Sequence, residues 1–498
     1  MAAEPPARNT TAPPPAAAAA APDRIPRSIL ILMGVTTLGA VMSSLDTTIV
    51  TVGVDAMARS LRSSVSVIQW VTTGYLLAFS AVIPLTGWVV DRLGVRRAWL
   101  LALTVFLVGS VLSGIAWSAG SLIAFRTLQG LGGGMLLPLA QTVLAREAEP
   151  RLLGRVMGLA AIPGMLSPVF GPVIGGVIVD HLSWPWLFFV NVPIGVVAIT
   201  LAVKVLPGAD RGRPVPLDVV SLLLLSPGVA AVVFGFSQAG GARGFGAPAA
   251  VWALVAGAVL LAAFTWHSLR RGDSALVNVR LFAGRGFTAS AITATLLGAA
   301  LFGALILFPL YYQLVRGQGA MTAGLLLAPQ GVGAVLVARY AGKLTDRLGA
   351  GKVVLGGLVL AVAGTVPYAF VGRSTPEWWL VLALLVRGLG LGFTFMPTLV
   401  AAYQGIPRHA VPQVTTVVNI AQRVGGSLGT ALLITLLQRE YAQRAGHAAV
   451  LGGGGSRPSL TDLVPAFDHA FWWAAGFSAL ALLPALLLPR KPAAAAGQ

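Results

Sequence analysis

GWVVDRLGVRR, residues 87–97, sets one acid, three arginines and two glycines between two long apolar runs. Residues 342–352 read GKLTDRLGAGK and repeat Asp-Arg-Leu-Gly at the same distance from a leading glycine, so Asp346 follows Asp91 by 255 residues. A turn between two buried segments needs polar residues and a glycine, but nothing in a turn requires the same four residues twice. The repetition marks corresponding points in two copies of one unit. Gly94 permits the tight turn, and Arg96 and Arg97 anchor a charged face. Asp91 either pairs with one of these arginines or sits at the N-terminus of a neighbouring helix.

Composition says what the copies are made of. Of 498 residues, 56% are hydrophobic and only 10% charged, and the mean hydropathy is +0.83. A soluble chain carries roughly a quarter of its residues as charges. Uncharged apolar stretches of about 20 residues read as membrane-spanning helices, and these runs are too long and continuous for barrel strands. The fold class is an all-α polytopic membrane protein, with fourteen spans expected along the chain. The even count places both termini on one side. Most of the 34 Lys and Arg fall in loops on that side, so the positive-inside rule puts the termini and both DRLG loops in the cytoplasm and the chain in the cell membrane. The net charge of +18 is therefore topology, and nucleic acid is not an expected partner. An Ala/Gly/Arg-rich, Lys-poor composition fits a bacterial chain.

Several function classes drop out. There are no cysteines, which excludes disulfides and thiolate metal sites. The five histidines fall in loops or at span ends, so no helix offers a metal-ligating cluster. No GxxxxGK[ST] sequence occurs, so ATP is not the expected driver. No catalytic constellation is visible, and an enzyme is not expected. The first apolar run lacks a small-residue cleavage site and reads as a retained helix.

The spacing of the repeat sets the organisation: a disordered cytoplasmic tail at 1–27, a six-helix bundle at 28–206, two extra helices with a basic linker at 207–285, a second six-helix bundle at 286–489, and a cytoplasmic tail at 490–498. Arg126, Met135 and Pro138 in the fourth span echo Arg387, Met396 and Pro397, with two residues deleted. GPVIGG at 171–176 has a looser partner in RVGGSLG at 423–429. Internal repeats of this kind are typical of secondary transporters, which hold substrate near the midplane between halves.

The motifs resemble those of a known family. GWVVDRLGVRR looks like the cytoplasmic signature between the second and third helices of major facilitator superfamily transporters. RTLQGLGGGMLLP (126–138) is similar to the fourth-helix motif of drug/proton antiporters. SPVFGPVIGG (167–176) resembles their fifth-helix motif, with Ser167 where glycine is common. LDTTIV (45–50) and YYQLVRGQGAMTAGLLLAP (311–329) are similar to the fourteen-helix drug/proton antiporter branch. The resemblance implies the major facilitator fold, with two extra helices, and proton-coupled efflux of amphipathic or aromatic small molecules such as drugs or antibiotics. Export of an endogenous secondary metabolite or lipid-like product would leave the same motifs. It implies no cofactor beyond a proton gradient. The expected partners are substrate, protons and the bilayer, with no obligate protein partner. Gly87, Asp91, Arg92, Gly94, Arg96, Arg97, Asp346 and Arg347 would form a latch that opens and closes between states. Ser167, Gly171, Pro172, Gly175 and Gly176 would shape a bent helix that seals the cavity against leak.

Among sixteen acids, only Asp46 is expected deep inside a span. An ionisable group there is functional by default. Arg126 is its natural counter-charge, on a face with Gly130, Gly133 and Gly134, and the pair is the expected proton-coupling site. Tyr75, Gln129, Phe302, Phe308, Tyr311, Asn419 and Arg423 are candidates for the substrate cavity, where aromatic walls suit flat, apolar or cationic compounds. Arg339 and Arg387 lie nearer span ends, where snorkelling to the interface explains them.

Overall fold

A computed structural model of the chain describes residues 25–208, 216–241, 243–372, 375–445 and 459–489. Residues 1–24 and 490–498 of the expected tails and part of the linker after 206 lie outside the described residues, as do the side chains of Pro172 and Arg339.

The described secondary structure is helical. The first copy contains α1 (Arg27–Ile49), α2 (Val54–Ser60), α3 (Val65–Val82), α4 (Leu85–Leu93), α5 (Val95–Gly114), α6 (Ala119–Glu147), α7 (Leu153–His181), α8 (Trp186–Phe189) and α9 (Asn191–Val205). Between the copies lie α10 (Val219–Ala239) and α11 (Pro248–Arg271). The second copy contains α12 (Arg285–Leu314), α13 (Ala320–Leu326), α14 (Ala328–Leu348), α15 (Ala350–Thr365), α16 (Glu377–Gly392), α17 (Phe395–Tyr403), α18 (Val411–Ala445), α19 (Leu460–Leu480) and α20 (Leu482–Ala485). Local chemistry sets the boundaries. The Ser64 hydroxyl caps α3 by accepting from Val67 N, and Ser118 and Ser121 form a reciprocal capping box at the start of α6. Pro84 parts α3 from α4.

Twelve segments among the described residues are long and apolar enough to cross a membrane, against the fourteen expected. The other two long helices are α7 and α19. The 21 residues of α19 include Asp462, Asp468 and His469, which lower its apolar character. The 29 residues of α7 include several whose side chains lie outside the described ones. Both pack within the bundle, α7 against α1 and α14, and α19 against α12, α15 and α18.

The extra pair is asymmetric. α10 packs against α11 and touches both copies, α3 of the first and α18 of the second. Trp70 meets Phe234 at 5.9 Å between ring centroids, and the Thr435 hydroxyl donates to Ala239 O at 2.9 Å. By contrast α11 is only 17% buried over its apolar window, with Trp252, Val255 and Val259 exposed. Such a surface is what a helix turned toward lipid presents.

The apolar core shows how the copies meet. One large cluster joins Val89 and Val90 of α4 and Val143 and Leu144 of α6 to Val400 of α17 and Val414 and Val418 of α18. It lies at the end that carries the DRLG turns. At the opposite end the copies keep separate clusters, one around Val71, Leu122 and Phe188, the other around Tyr311, Tyr368 and Phe471. The molecule is thus closed across its DRLG end.

Glycine crossings display the repeat in three dimensions. A Cβ on Gly130 or Gly134 of α6 would strike Tyr75 O or Phe79 O of α3, and one on Gly388 or Gly392 of α16 would strike Gln330 O or Ala334 O of α14. The α3 and α14 positions are 255 residues apart, and the α6 and α16 positions 258 apart. Gly109 backs Gln129 just as Gly364 backs Arg387. Arg387 therefore occupies the place of Gln129, and the pairing with Arg126 expected from the sequence is corrected by one helical turn: Leu384 stands where Arg126 would be.

Candidate functional site

Asp46 lies in α1 with no exposed surface, four residues before the helix tightens into a 3₁₀ turn at Val50. Its Oδ2 accepts from Arg126 Nη1 at 2.6 Å. Its Oδ1 accepts from Gln129 Nε2 at 2.9 Å and Asn191 Nδ2 at 3.0 Å. The same Arg126 nitrogen donates to Gln129 Oε1 at 2.8 Å, and Asn191 donates on to Ser110 Oγ at 3.1 Å. Four helices, α1, α5, α6 and α9, supply these groups, so the cluster depends on the packing of the whole first copy. The guanidinium lies 4.1 Å from the centroid of the Tyr75 ring and 5.5 Å from that of Phe188. The Tyr75 hydroxyl stands 3.3 Å from Ser43 Oγ. The glycine strip explains how α6 fits: Gly133 leaves room for Tyr75 and Ser43, where any side chain would collide.

Burying two charges is expensive unless they are paired and hydrogen-bonded. Here the carboxylate is satisfied on both oxygens, while Nε and Nη2 of Arg126 have no hydrogen-bond partner among the described residues. Chemically, the cluster is a carboxylate whose protonation would remove the charge that holds an arginine in place.

Among the described residues the second copy shows no such carboxylate beside its buried arginine. Arg387, 2% exposed, donates to Gln330 Oε1, to Ala300 O at 3.0 Å and to Thr365 Oγ1 at 3.2 Å. This corrects the snorkelling expected for it, because carbonyl and hydroxyl acceptors inside the bundle already satisfy the guanidinium.

The two DRLG loops interlock with opposite copies. Gly87 packs against Pro412 at the start of α18, and Gly342 packs against Gly154 and Arg155 at the start of α7. Asp346 accepts from Gly154 N at 2.9 Å, with Arg155 Nε at 3.5 Å from its other oxygen. That is a carboxylate at a helix N-terminus, where the backbone donors and the dipole favour it. The matching bond is unavailable to Asp91, because position 412 is a proline and has no N–H. Asp91 instead accepts from Arg146 at the end of α6, at 3.0 Å. Arg92, Arg97 and Arg347 are exposed, and Arg96 is half-buried. The turns themselves need glycine. Gly94 has φ 78° and ψ 163°, and Gly349 has φ 86° and ψ 149°.

In the fifth-helix motif, Gly171 and Gly175 abut Thr48 and Ile49 of α1, just beyond Asp46. Ser167 is buried, and its carbonyl accepts from Thr48 Oγ1 at 3.3 Å. Gly176 points into open space.

The expected cavity residues part company. Tyr75 and Gln129 belong to the Asp46 cluster. Phe308 and Tyr311 are sealed in an aromatic knot with Tyr368 and Phe471 inside the second copy. Asn419 reaches across the copies to Gln141 Oε1 at 2.7 Å. Arg423, one turn further along α18, stacks over Phe79 of the first copy at 4.1 Å and lies 5.7 Å from the Phe302 ring of its own. The sequence reading missed Asn191, Ser110, Arg146, Gln141 and Arg155. Asn191 alone carried a visible signal, a lone amide in the apolar run FFVNVPIGVV.

A family model described as Major Facilitator Superfamily matches residues 36–430. A multidrug resistance protein B homolog of Mycobacterium tuberculosis is 37% identical over 95% of this chain and 92% of its own length. The multidrug export protein EmrB of Haemophilus influenzae is 30% identical over 81% and 80%, respectively. Among solved structures, the proton:xylose symporter XylE superimposes with a TM-score of 0.62 over 94% of this chain and 98% of its own at 13% identity, a likeness of fold. Taken with the interlocked repeats, these matches show that the chain belongs to the Major Facilitator Superfamily.

Proposed function

We propose that this protein exports amphipathic, aromatic small molecules, drugs or antibiotics among them, in exchange for protons. In this reading it has fourteen spans, six plus two plus six, with both termini in the cytoplasm. The efflux part is supported by the multidrug resistance and export names of its relatives. Coupling is supported by one observation above the others, the sealed Asp46–Arg126 pair. A proton on Asp46 weakens its hold on Arg126, and Arg126 rests on Tyr75, one turn from the Phe79–Arg423 contact between the copies. Proton binding is thereby linked to the contact that alternating access must break. The DRLG loops act as the cytoplasmic latch, and the proton gradient is the only driver the reading requires.

The test is substrate-induced proton release from proteoliposomes. The wild-type protein should release protons when a transported drug is added, and Asp46→Asn should bind the drug without releasing them. Undiminished coupled transport by well-folded Asp46→Asn would remove Asp46 from the mechanism.

A further inference from the structure

Among the described side chains three arginines lie deep among the helices, and their surroundings differ. Arg126 is sealed and paired with Asp46. Arg387 is sealed and bonded to carbonyl and hydroxyl oxygens. Arg423 is part-exposed, although it stands 12 residues into the 35-residue α18 and contacts both copies. The surface it keeps accessible lies between the two copies, beside a ring from each. Among the described residues Arg423 makes no hydrogen bond and no ion pair; its contacts are the faces of Phe79 and Phe302. The amide group of neighbouring Asn419 is already committed, donating to Gln141 Oε1 and to Thr415 O at 2.8 Å. Asp46, the one acid placed deep in the first copy, is taken by Arg126.

A guanidinium stacked on a ring uses its faces and leaves its in-plane N–H fork free. That fork matches a carboxylate, two parallel hydrogen bonds to two oxygens. A cation kept in low-dielectric surroundings without a counter-charge is costly, and an anion beside it removes that cost. We infer that Arg423, held between Phe79 and Phe302, is the recognition site for the acidic head group of an aromatic substrate, so that aromatic carboxylates are the preferred cargo. The two rings come from different copies, so a substrate whose own ring lies beside them touches both halves at once. The inference rests on the efflux reading and narrows its substrate class away from the cations that aromatic walls alone would suit.

The test uses two probes that share one fluorophore, dansylglycine with a carboxylate and dansylcadaverine with an amine. Binding to the purified wild-type protein should be at least tenfold tighter for dansylglycine. Arg423→Gln should lose at least tenfold for dansylglycine relative to dansylcadaverine, abolishing the preference for the acid. Arg423→Lys keeps the charge without the fork and should lose about threefold for the acid only, which preserves the test if the glutamine variant does not fold. Equal or tighter binding of the amine, failure to bind either probe, or unchanged dansylglycine affinity in both variants would overturn the inference. Proton release driven by an uncharged drug, measured on the wild-type protein, reports on the efflux reading separately. If it persists while the acid preference is missing, only the substrate assignment fails.

Discussion

Asp46 and Arg126 sit at 2.6 Å with no exposed surface on either side chain, and that geometry has consequences for stability distinct from those for transport. Removing one partner of a buried pair leaves an uncompensated charge and typically costs about 3–5 kcal/mol. Asp46→Asn and Arg126→Gln should each lower the melting temperature in detergent, whereas the double variant should recover most of the loss, because no charge is then stranded. A double-mutant cycle of thermal melts checks this; additive losses would mean that the two side chains act independently. Transport should remain absent in all three variants. Asn191 belongs to the same unit through its 3.0 Å bond to Oδ1. Asn191→Ala should cost about 1–3 kcal/mol, the usual penalty for a buried acceptor left short of a donor, and should also reduce proton-coupled flux.

At the scale of elements, backbone geometry separates glycines that a motif alone treats alike. In GPVIGG, Gly175 faces Ile49 O at a distance where a methyl group cannot fit, while Gly176 meets nothing. Gly175→Ala should therefore push α7 from α1 and destabilise the protein, and Gly176→Ala should be neutral to within about 0.5 kcal/mol; equal effects would return both to generic helix breakers. Gly94 poses a different problem. Its φ of 78° with ψ of 163° lies in a region essentially reserved for glycine, and forcing another residue there costs about 1–3 kcal/mol. The turn was legible in the sequence because DRLG occurs twice, and so was the glycine-rich motif of α7. The register of α6 against α16 was not. Arg126 and Arg387 look equivalent as letters, and only the backbone contacts of Gly109 and Gly364 show that Arg387 takes the place of Gln129. Asn191 was lost for a related reason. The lone amide in its apolar run marks it as unusual, but its role comes from four helices converging on Asp46, and α9 by itself does not encode that partner. Aromatic residues were misjudged because composition cannot tell a cavity wall from a packed knot, as Phe308 and Tyr311 illustrate.

For the molecule as a whole, the DRLG end is shut, and Asp346 gives that closure a dependence on pH. Its carboxyl is pushed up from the ordinary 3.8 to about 6, chiefly by burial against the start of α7, with the N–H groups of Gly154 and Arg155 and the Arg155 charge opposing the shift. When this end opens, Asp346 meets water and returns toward its ordinary value. The closed form therefore binds the proton more tightly, and protonation favours closure. The contribution is complete below about pH 4 and is lost as pH rises through about 6. At higher pH the carboxylate stays in the latch but resists being desolvated, which favours opening. The absence of cysteines makes the measurement clean, since Arg151→Cys and Leu348→Cys would be the only thiols for spin labels on the two sides of the latch. Distances between them should report a closed fraction that falls between pH 4 and pH 6.5, and Asp346→Asn, which cannot ionise, should hold the closed fraction high and flat across that range. The same pH profile in Asp346→Asn would assign the titration to another group and leave Asp346 a fixed anchor between α14 and α7.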